Sequence, residues 1–536
     1  MLKWFGRIFA VVVIAVPAMI VIVSFMKSYS DPYGEADLSG ISLPQFTEVA
    51  FPFAHRYDDD KSLPFLGSAI IDVDGDSTPE VFMGGGYDQP DMILAFENGG
   101  FVDATFAMGK GLSKGTQDTT FGAAVIDADG DGRSDIFVAR DSGITLYYNR
   151  VGGFVAKKLD IPFDEKSTPL SIALTDLNHD GRVDMFVSTY IKKALVEGQN
   201  IFNKEGYGST SLLLLNNGDD TFTDITAKAG MDYVHNTFVA VFSDIDKDGD
   251  QDLVVAHDTG QVRTWRNNGD LTFTSEPNPS SDRYGYPMGI GIGDYNNDSR
   301  IDFFFSNVST TPPRFLAKGD LRDDQIFHTP LFLFRNDGGF KFTDVAAETK
   351  VADYEFSWGI VLEDLNNDGR EDALIAQNYI SLPLQKIFRL PGRVLMQLPD
   401  GTFGAASEAT NLVNRNYEIS PLVADFNDDG YLDVIRVNLD GPSRAFLNSG
   451  GLNGFLKVRL PDKVHSLGAV VEVILADGKK LTKQFTSGEG LASDQSHVLI
   501  FGLGPASSIE AVNVYYASGT IQRIARPTIG TTLVIQ

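Results

Sequence analysis

One nine-residue pattern occurs seven times in this chain, and its register constrains the fold more than any other feature. The copies begin with Asp72-Val-Asp74-Gly-Asp76-Ser-Thr-Pro-Glu80, Asp127-Ala-Asp129-Gly-Asp131-Gly-Arg-Ser-Asp135 and Asp176-Leu-Asn178-His-Asp180-Gly-Arg-Val-Asp184. The fourth and fifth are Asp244-Ile-Asp246-Lys-Asp248-Gly-Asp-Gln-Asp252 and Asp294-Tyr-Asn296-Asn-Asp298-Ser-Arg-Ile-Asp302. Asp364-Leu-Asn366-Asn-Asp368-Gly-Arg-Glu-Asp372 and Asp425-Phe-Asn427-Asp-Asp429-Gly-Tyr-Leu-Asp433 complete the series. Positions 1, 3, 5 and 9 carry a side-chain oxygen in every copy.

A hard divalent cation asks for that spacing. Several carboxylate or amide oxygens converge on it, a backbone carbonyl near position 7 joins them, and glycine at position 6 permits a sharp turn. Calcium is the expected ion, about seven per chain, because magnesium keeps its waters and seldom accepts an all-protein cage. One Asp/Asn/Gly cluster alone would read as an ordinary turn; seven in one register do not. An EF-hand loop needs a bidentate Glu at position 12, where the first five copies have Met83, Val138, Val187, Val255 and Phe305. Apolar β-type runs flank the loops instead, so each loop joins two strands.

A second element lies between the loops. Leu213 to Thr226 and Leu333 to Ala346 both read as strand, Asn/Asp-Gly hairpin, strand, turning at Asn216-Asn217-Gly218 and Asn336-Asp337-Gly338. Each period of 49 to 70 residues therefore holds four strands, the content of one propeller blade. Phe46-Thr-Glu-Val-Ala50 matches the outer-strand stretches Phe222-Thr-Asp-Ile-Thr226 and Phe342-Thr-Asp-Val-Ala346, yet precedes the first loop. It is expected to supply the missing outer strand of the last blade and close the ring.

These repeats resemble the FG-GAP and VCBS families, which implies a seven-bladed, integrin-like propeller over roughly residues 46–448. From Asn453 the chain is similar to the ASPIC/UnbV domain that follows such repeats in the cartilage acidic protein-like family. The residues carrying that likeness are Leu456 to Leu460, Gly468 to Val473, Ser487-Gly-Glu-Gly490, Phe501-Gly-Leu-Gly504 and Val512 to Gly519. After the Ser-Gly pair this chain has Leu491 and Asp494, with Gln495 one place late, where the family has Tyr and Gln. The families resembled are known chiefly as adhesion and interaction modules.

The net charge of −28 excludes nucleic acid as a partner, since such binders need basic stripes. About a third of the 72 acidic residues occupy the loop positions, so seven bound dications would halve the net charge. With no cysteine, disulfides, thiolate metal sites and a cysteine nucleophile are impossible. The seven histidines are scattered, and no nucleophile elbow, phosphate loop or paired-histidine motif is present. The chain is therefore expected to be a binding or assembly module, not an enzyme. The alternative is a carbohydrate-binding or polysaccharide-cleaving propeller, which would line its central funnel with unliganded carboxylates, Lys, Tyr or other aromatics.

Lys3 and Arg7 precede an unbroken apolar run from Ile8 to Met26. At about 1.5 Å per residue this run nearly spans a bilayer core, which favours an uncleaved signal anchor; the alternative is a signal peptide cut near Ser28-Tyr29-Ser30. Either places residue 31 onward outside the cytoplasm. The expected protein is thus all-β: a transmembrane helix within residues 1–30, a linker over 31–45, a seven-bladed calcium-loop propeller over 46–450 and a small β domain over 453–536.

Three blades lengthen, at about 191–210, 309–330 and 378–393, and strand alternation puts all three inserts opposite the metal loops. They are net basic and aromatic-rich. Lys192, Lys193, Arg314, Lys318, Lys386, Arg389 and Arg393 are the candidate docking residues for an acidic or amphipathic partner, such as a protein or the subunits of a membrane complex. The alternative is solvated decoration.

Overall fold

The structure, a computed structural model, describes residues 31–198, 200–309, 314–378, 389–505 and 508–536. The strand that follows the linker of each repeat is a near-continuous apolar run. Thr120–Ile126, Thr237–Ser243 and Tyr417–Ala424 are buried at every position. A strand covered on both faces has no need of polar alternation. The outermost strands show the opposite pattern, as in Phe222–Asp224 and Phe273–Glu276, each of which exposes two residues.

Most repeats form one antiparallel sheet of four strands in sequence order. The second repeat, for example, runs Thr120–Ile126, Asp135–Arg140, Gly143–Arg150 and Gly153–Lys158. Five such sheets occur among the described residues; a sixth adds Ser493–Asp494, parallel to Ser68–Ile71, and a seventh takes its outermost strand from Phe46–Val49. Their first strands pack in a closed cycle: Ser68–Ile71, Thr120–Ile126, Ser167–Thr175, Thr237–Ser243, Ile290–Gly293, Ser357–Glu363 and Tyr417–Ala424, which returns to Ser68–Ile71. Crowding at the axis explains two glycines beside these strands. A Cβ on Gly122 would lie 1.9 Å from the Leu170 carbonyl oxygen, and one on Gly289 would lie 2.4 Å from that of Trp358.

The last sheet is completed from the other end of the chain. Phe46–Val49 pairs antiparallel with Arg444–Asn448, matching Phe46 with Asn448 and Val49 with Ala445. Arg444 adds an ion pair with Glu48 at 2.7 Å. This is the outer strand expected from the Phe-Thr-Glu-Val match.

The C-terminal domain has two sheets. One contains Gly454–Arg459, Val498–Gly504 and Thr532–Val534; the other contains Val470–Leu475, Lys480–Gln484, Ile509–Tyr515 and Ile521–Ala525. It shares a core with the ring, where Leu456, Val458 and Leu467 pack with Ile126, Ile172 and Leu174.

The expectation of a single-pass membrane protein is corrected. Among the described residues no helix is long and apolar enough to cross a membrane. The Ile8–Met26 run itself lies in residues 1–30, outside the described residues.

Candidate functional site

Each nine-residue loop connects the first and second strands of its sheet. Position 9 is always the first residue of the second strand: Glu80, Asp135, Asp184, Asp252, Asp302, Asp372 and Asp433. The loop turns through two left-handed residues, at positions 4 and 6. Position 6 is Gly at 79° to 99° in five copies, and Ser77 (81°) and Ser299 (67°) adopt the same conformation. Position 4 is equally left-handed although it is Gly, His, Lys, Asn or Asp; His179 has φ 56° and Lys247 has φ 64°. The sequence marked only position 6 as a special turn.

The fold holds the acidic side chains through backbone N–H groups. In the fourth loop, Asp244 Oδ1 accepts from the Asp248 N–H (3.0 Å) and Oδ2 from the Gly249 N–H (3.1 Å). Asp252 accepts from the Ile245 N–H through one oxygen and the Asn267 N–H through the other, both at 2.9 Å. Three loops bring acidic ligand atoms within 4.8 Å of one another: Asp72, Asp74 and Glu80; Asp127, Asp129 and Asp135; Asp244, Asp246 and Asp248. The other four have Asn178, Asn296, Asn366 and Asn427 at position 3, each donating to the Asp two residues on, at 2.9 to 3.1 Å.

Burial, and secondarily the neighbouring carboxylates, push the position-9 acids up. Glu80, Asp252 and Asp433 rise to about 8, Asp135 and Asp184 to about 7, and Asp302 and Asp372 well above the carboxylate range. Asp246 Oδ1 is buried with no hydrogen-bond partner. An orphaned carboxylate oxygen within an oxygen-only donor set fits a hard cation such as calcium. Basic side chains already share the loops: Lys457 donates to Asp425 Oδ2 at 2.9 Å and pairs with Asp428 in the seventh, Arg150 pairs with Asp129 and Asp131 in the second, and Arg459 lies 3.6 Å from Asp72 in the first.

The hairpin asparagines have a second role that sequence reasoning missed. Asn149 Nδ2 donates to the Val73 carbonyl, Asn336 to Ile245, Gln397 Nε2 to Tyr295 and Asn448 to Leu365. Each acceptor is position 2 of the preceding repeat's loop, so these amides tie neighbouring sheets together. The available signal was an amide at or near the end of the third strand, two to four residues before the hairpin glycine.

The C-terminal domain covers the loop face and inserts residues 487–495 into the ring. Leu491 is fully buried within the same core as Phe65, Phe238 and Trp358. Asp494 accepts from the Val125 N–H at 2.7 Å, Gln495 bridges the Val423 N–H and the Pro421 carbonyl, and Gly490 pairs with Ile290. The three residues that depart from the family pattern are thus contacts to the inner strands of different sheets.

On the opposite face, two inserts lock together. The Phe202 and Asn203 N–H groups donate to the Asp320 carboxylate at 2.6 and 3.1 Å, and Asn203 also binds the Asp320 carbonyl and Arg322. Beside them is a cavity of about 250 Å³ whose lining includes Phe65, Tyr190, Phe238, Asp258, Trp358 and Tyr417. Burial raises the Asp258 carboxyl to about 7.

The candidate docking residues fare unevenly. Lys193 pairs with Asp59 (3.1 Å) and Lys318 with Asp323 (2.9 Å). Arg314 donates to the Phe327 carbonyl and lies over its ring, while Arg389 reaches the Arg415 carbonyl. Lys192 is half-buried. Arg393 is a correction: only 5% exposed, it is bound to Glu355 and covers the Tyr354 ring, so it cannot meet a partner. Lys386 lies outside the described residues.

Models of known families match three stretches: the FG-GAP-like repeat at 127–187 and 244–305, and ASPIC and UnbV at 462–536. The chain carries FG-GAP-like repeats and an ASPIC and UnbV domain. It is similar to cartilage acidic protein 1 of Xenopus tropicalis, at 25% identity over 88% of this chain and 73% of that protein. The Homo sapiens protein is 23% identical over 87% and 71% respectively. Among solved structures, an Agrocybe aegerita lectin recognising terminal N-acetylglucosamine aligns at 17% identity and TM-score 0.36, over 71% of this chain and 90% of that one. A Bacillus licheniformis rhamnogalacturonan lyase aligns at 12% identity and TM-score 0.39, over 75% of each. Likeness at that level bears on no functional point. The ASPIC and UnbV match coincides with the domain that packs against the loop face, and the FG-GAP-like matches begin at the position-1 aspartates Asp127 and Asp244.

Proposed function

We propose that this chain is a seven-bladed propeller holding calcium in its loops and serving as a protein-interaction module without a catalytic role. Glu80, Asp135, Asp184, Asp252, Asp302, Asp372 and Asp433, with the acids and amides at positions 1, 3 and 5, would hold the ions. Calcium would relieve the repulsion among carboxylates that the fold buries together.

The observation that carries the interaction reading is the fused pair of inserts. Asn203 and Asp320 are 117 residues apart, yet they close two hydrogen bonds, and the Phe202 N–H adds a third to Asp320, on a face that the C-terminal domain leaves open. Solvated decoration gains nothing from such a lock, whereas a binding surface gains rigidity before it meets a partner.

Two measurements test this. Metal analysis of the purified chain should return about seven calcium ions; two or fewer would overturn the calcium assignment. Affinity purification from the native cells, with and without chelator, should yield a stoichiometric partner that is lost from an Asn203→Ala, Asp320→Ala double variant of unchanged calcium content. Equal recovery by the variant would overturn the interaction surface.

A further inference from the structure

We propose that a proton held on His497 fastens the C-terminal domain into the ring, so that residues 487–495 sit tightly in mild acid and loosen as the solution turns alkaline. The device is independent of the calcium and partner readings and belongs to the joint between the domain and the ring.

His497 stands where two parts of the C-terminal domain meet the second repeat. Its Nδ1 lies 2.8 Å from Asp462 Oδ1, and its Nε2 lies 3.9 Å from Asp494 Oδ2. Both of these aspartates also reach the ring. Asp462 accepts from the Ser134 hydroxyl through its other carboxylate oxygen, and its carbonyl accepts from the Asp127 N–H at 3.2 Å. Asp494 Oδ2 accepts from the Val125 N–H at 2.7 Å and the Ser487 hydroxyl at 3.0 Å, while Oδ1 accepts from the Gly488 N–H at 3.0 Å. The Phe485 ring packs against the imidazole at 4.5 Å between centroids.

A ring with a carboxylate facing each nitrogen is satisfied only as the imidazolium. Neutral imidazole donates through one nitrogen and presents a lone pair at the other, so one carboxylate would face a lone pair. Among the described residues the buried Nε2 has no hydrogen-bond partner, so no other acceptor competes for its proton. Beside the ring is a cavity of about 30 Å³, room for about one water. Its other charged groups are engaged or neutral. Lys483 is held by Glu363 at 2.5 Å and by Glu371 at 3.2 Å. Burial, and then Glu363, keep the Glu489 carboxyl well above the usual range. Asp462 and Asp494 are therefore the charges left to His497.

Burial alone would strip the proton from His497, but Asp462 and then Asp494 outweigh it and hold the group above its ordinary value near 6.5. Burial pushes His55, His235, His257 and His328 the other way, so none of them takes up a proton near neutrality. A basic group held up in the folded state gives its full stabilisation below about pH 6.5. That stabilisation is lost as pH rises through the seated value, by up to about tenfold in the seating equilibrium for each pH unit between the two values.

The test follows deuterium uptake by residues 487–495 in the full chain at fixed, saturating calcium, corrected for the intrinsic exchange rate, in the parent and in His497→Gln. Glutamine retains a donor and cannot titrate. At pH 6 the variant should exchange at least about fivefold faster than the parent, and at pH 8.5 the two should converge. An equal gap at both pH values would mean a packing role alone and would overturn the switch, as would the absence of a gap at pH 6. If the glutamine variant does not fold, Asp462→Asn takes its place. Removing one of the two charges should lower the pH at which protection is lost by about one unit, and an unmoved midpoint would overturn the proposal.

Discussion

On the loop face, seven copies of one motif place side-chain oxygens ahead of the same strand, and one domain of the chain packs against that face. On the opposite face some connections repeat, such as Asp141-Ser142-Gly143 and Asp258-Thr259-Gly260, but the long inserts do not, and they are joined by contacts between distant pieces: Asn200 against Leu316, Phe202 against Asp320, and Asp59 against Lys193. The loop face gathers acids that need a counter-charge. The insert face gathers aromatic rings whose polar atoms are satisfied. Repetition fits the first task, because each loop meets the same electrostatic demand; nothing repeats the demand that the inserts meet.

The largest effect separating the faces should come from the plug. Leu491 is fully buried at the junction of the loop face and the channel core, so Leu491→Ala should cost about 2–5 kcal/mol by urea unfolding. Truncating exposed Phe315 on the other face should change stability by less than about 0.5 kcal/mol. Equal, small effects would mean that residues 487–495 rest in the channel without sealing it.

That asymmetry also explains what the sequence could disclose. The loops, the hairpins and the outer strand at Phe46–Val49 were legible because each is local, and each recurs in a register that strand alternation interprets directly. The plug was not. Leu491, Asp494 and Gln495 belong to no period, and their partners Val125, Pro421 and Val423 lie in other repeats. Arg393 misled for the same reason. It ends the basic 378–393 insert, but its partner Glu355 sits 38 residues earlier and draws it inward. Composition registers a charge; only the fold tells whether another cancels it.

A smaller effect tests the ties between sheets. Asn448 Nδ2 reaches the Leu365 carbonyl of the preceding repeat and the Leu432 carbonyl of its own, at 2.9 and 3.2 Å, and the side chain is buried. Asn448→Ala leaves the Leu365 carbonyl unpaired and should cost about 1–3 kcal/mol. Asn216 Nδ2 contacts only Val183, within its own sheet, and is more exposed, so Asn216→Ala should cost less in the same urea titration. If the two losses match, the amides stabilise their hairpins and not the joint between blades.

The smallest effect concerns the two loops that depart from glycine at position 6. Ser77 and Ser299 hold φ at 81° and 67°, a region that strains any residue with a Cβ, so replacing either by Gly removes strain while adding freedom to the unfolded chain. The two terms nearly cancel, leaving a gain of about 0.5 kcal/mol, or roughly 1 °C in Tm. The serines are not equivalent. Ser77 is exposed, whereas the Ser299 hydroxyl donates to Glu472 of the C-terminal domain at 3.3 Å. Ser77→Gly should therefore raise Tm more than Ser299→Gly, because the second substitution forfeits a contact that ties the loop to its cover. Calorimetry of both variants, with calcium present, reads the difference. A larger gain at Ser299 would mean that the long bond to Glu472 contributes nothing and that the domain holds the fifth loop through packing alone.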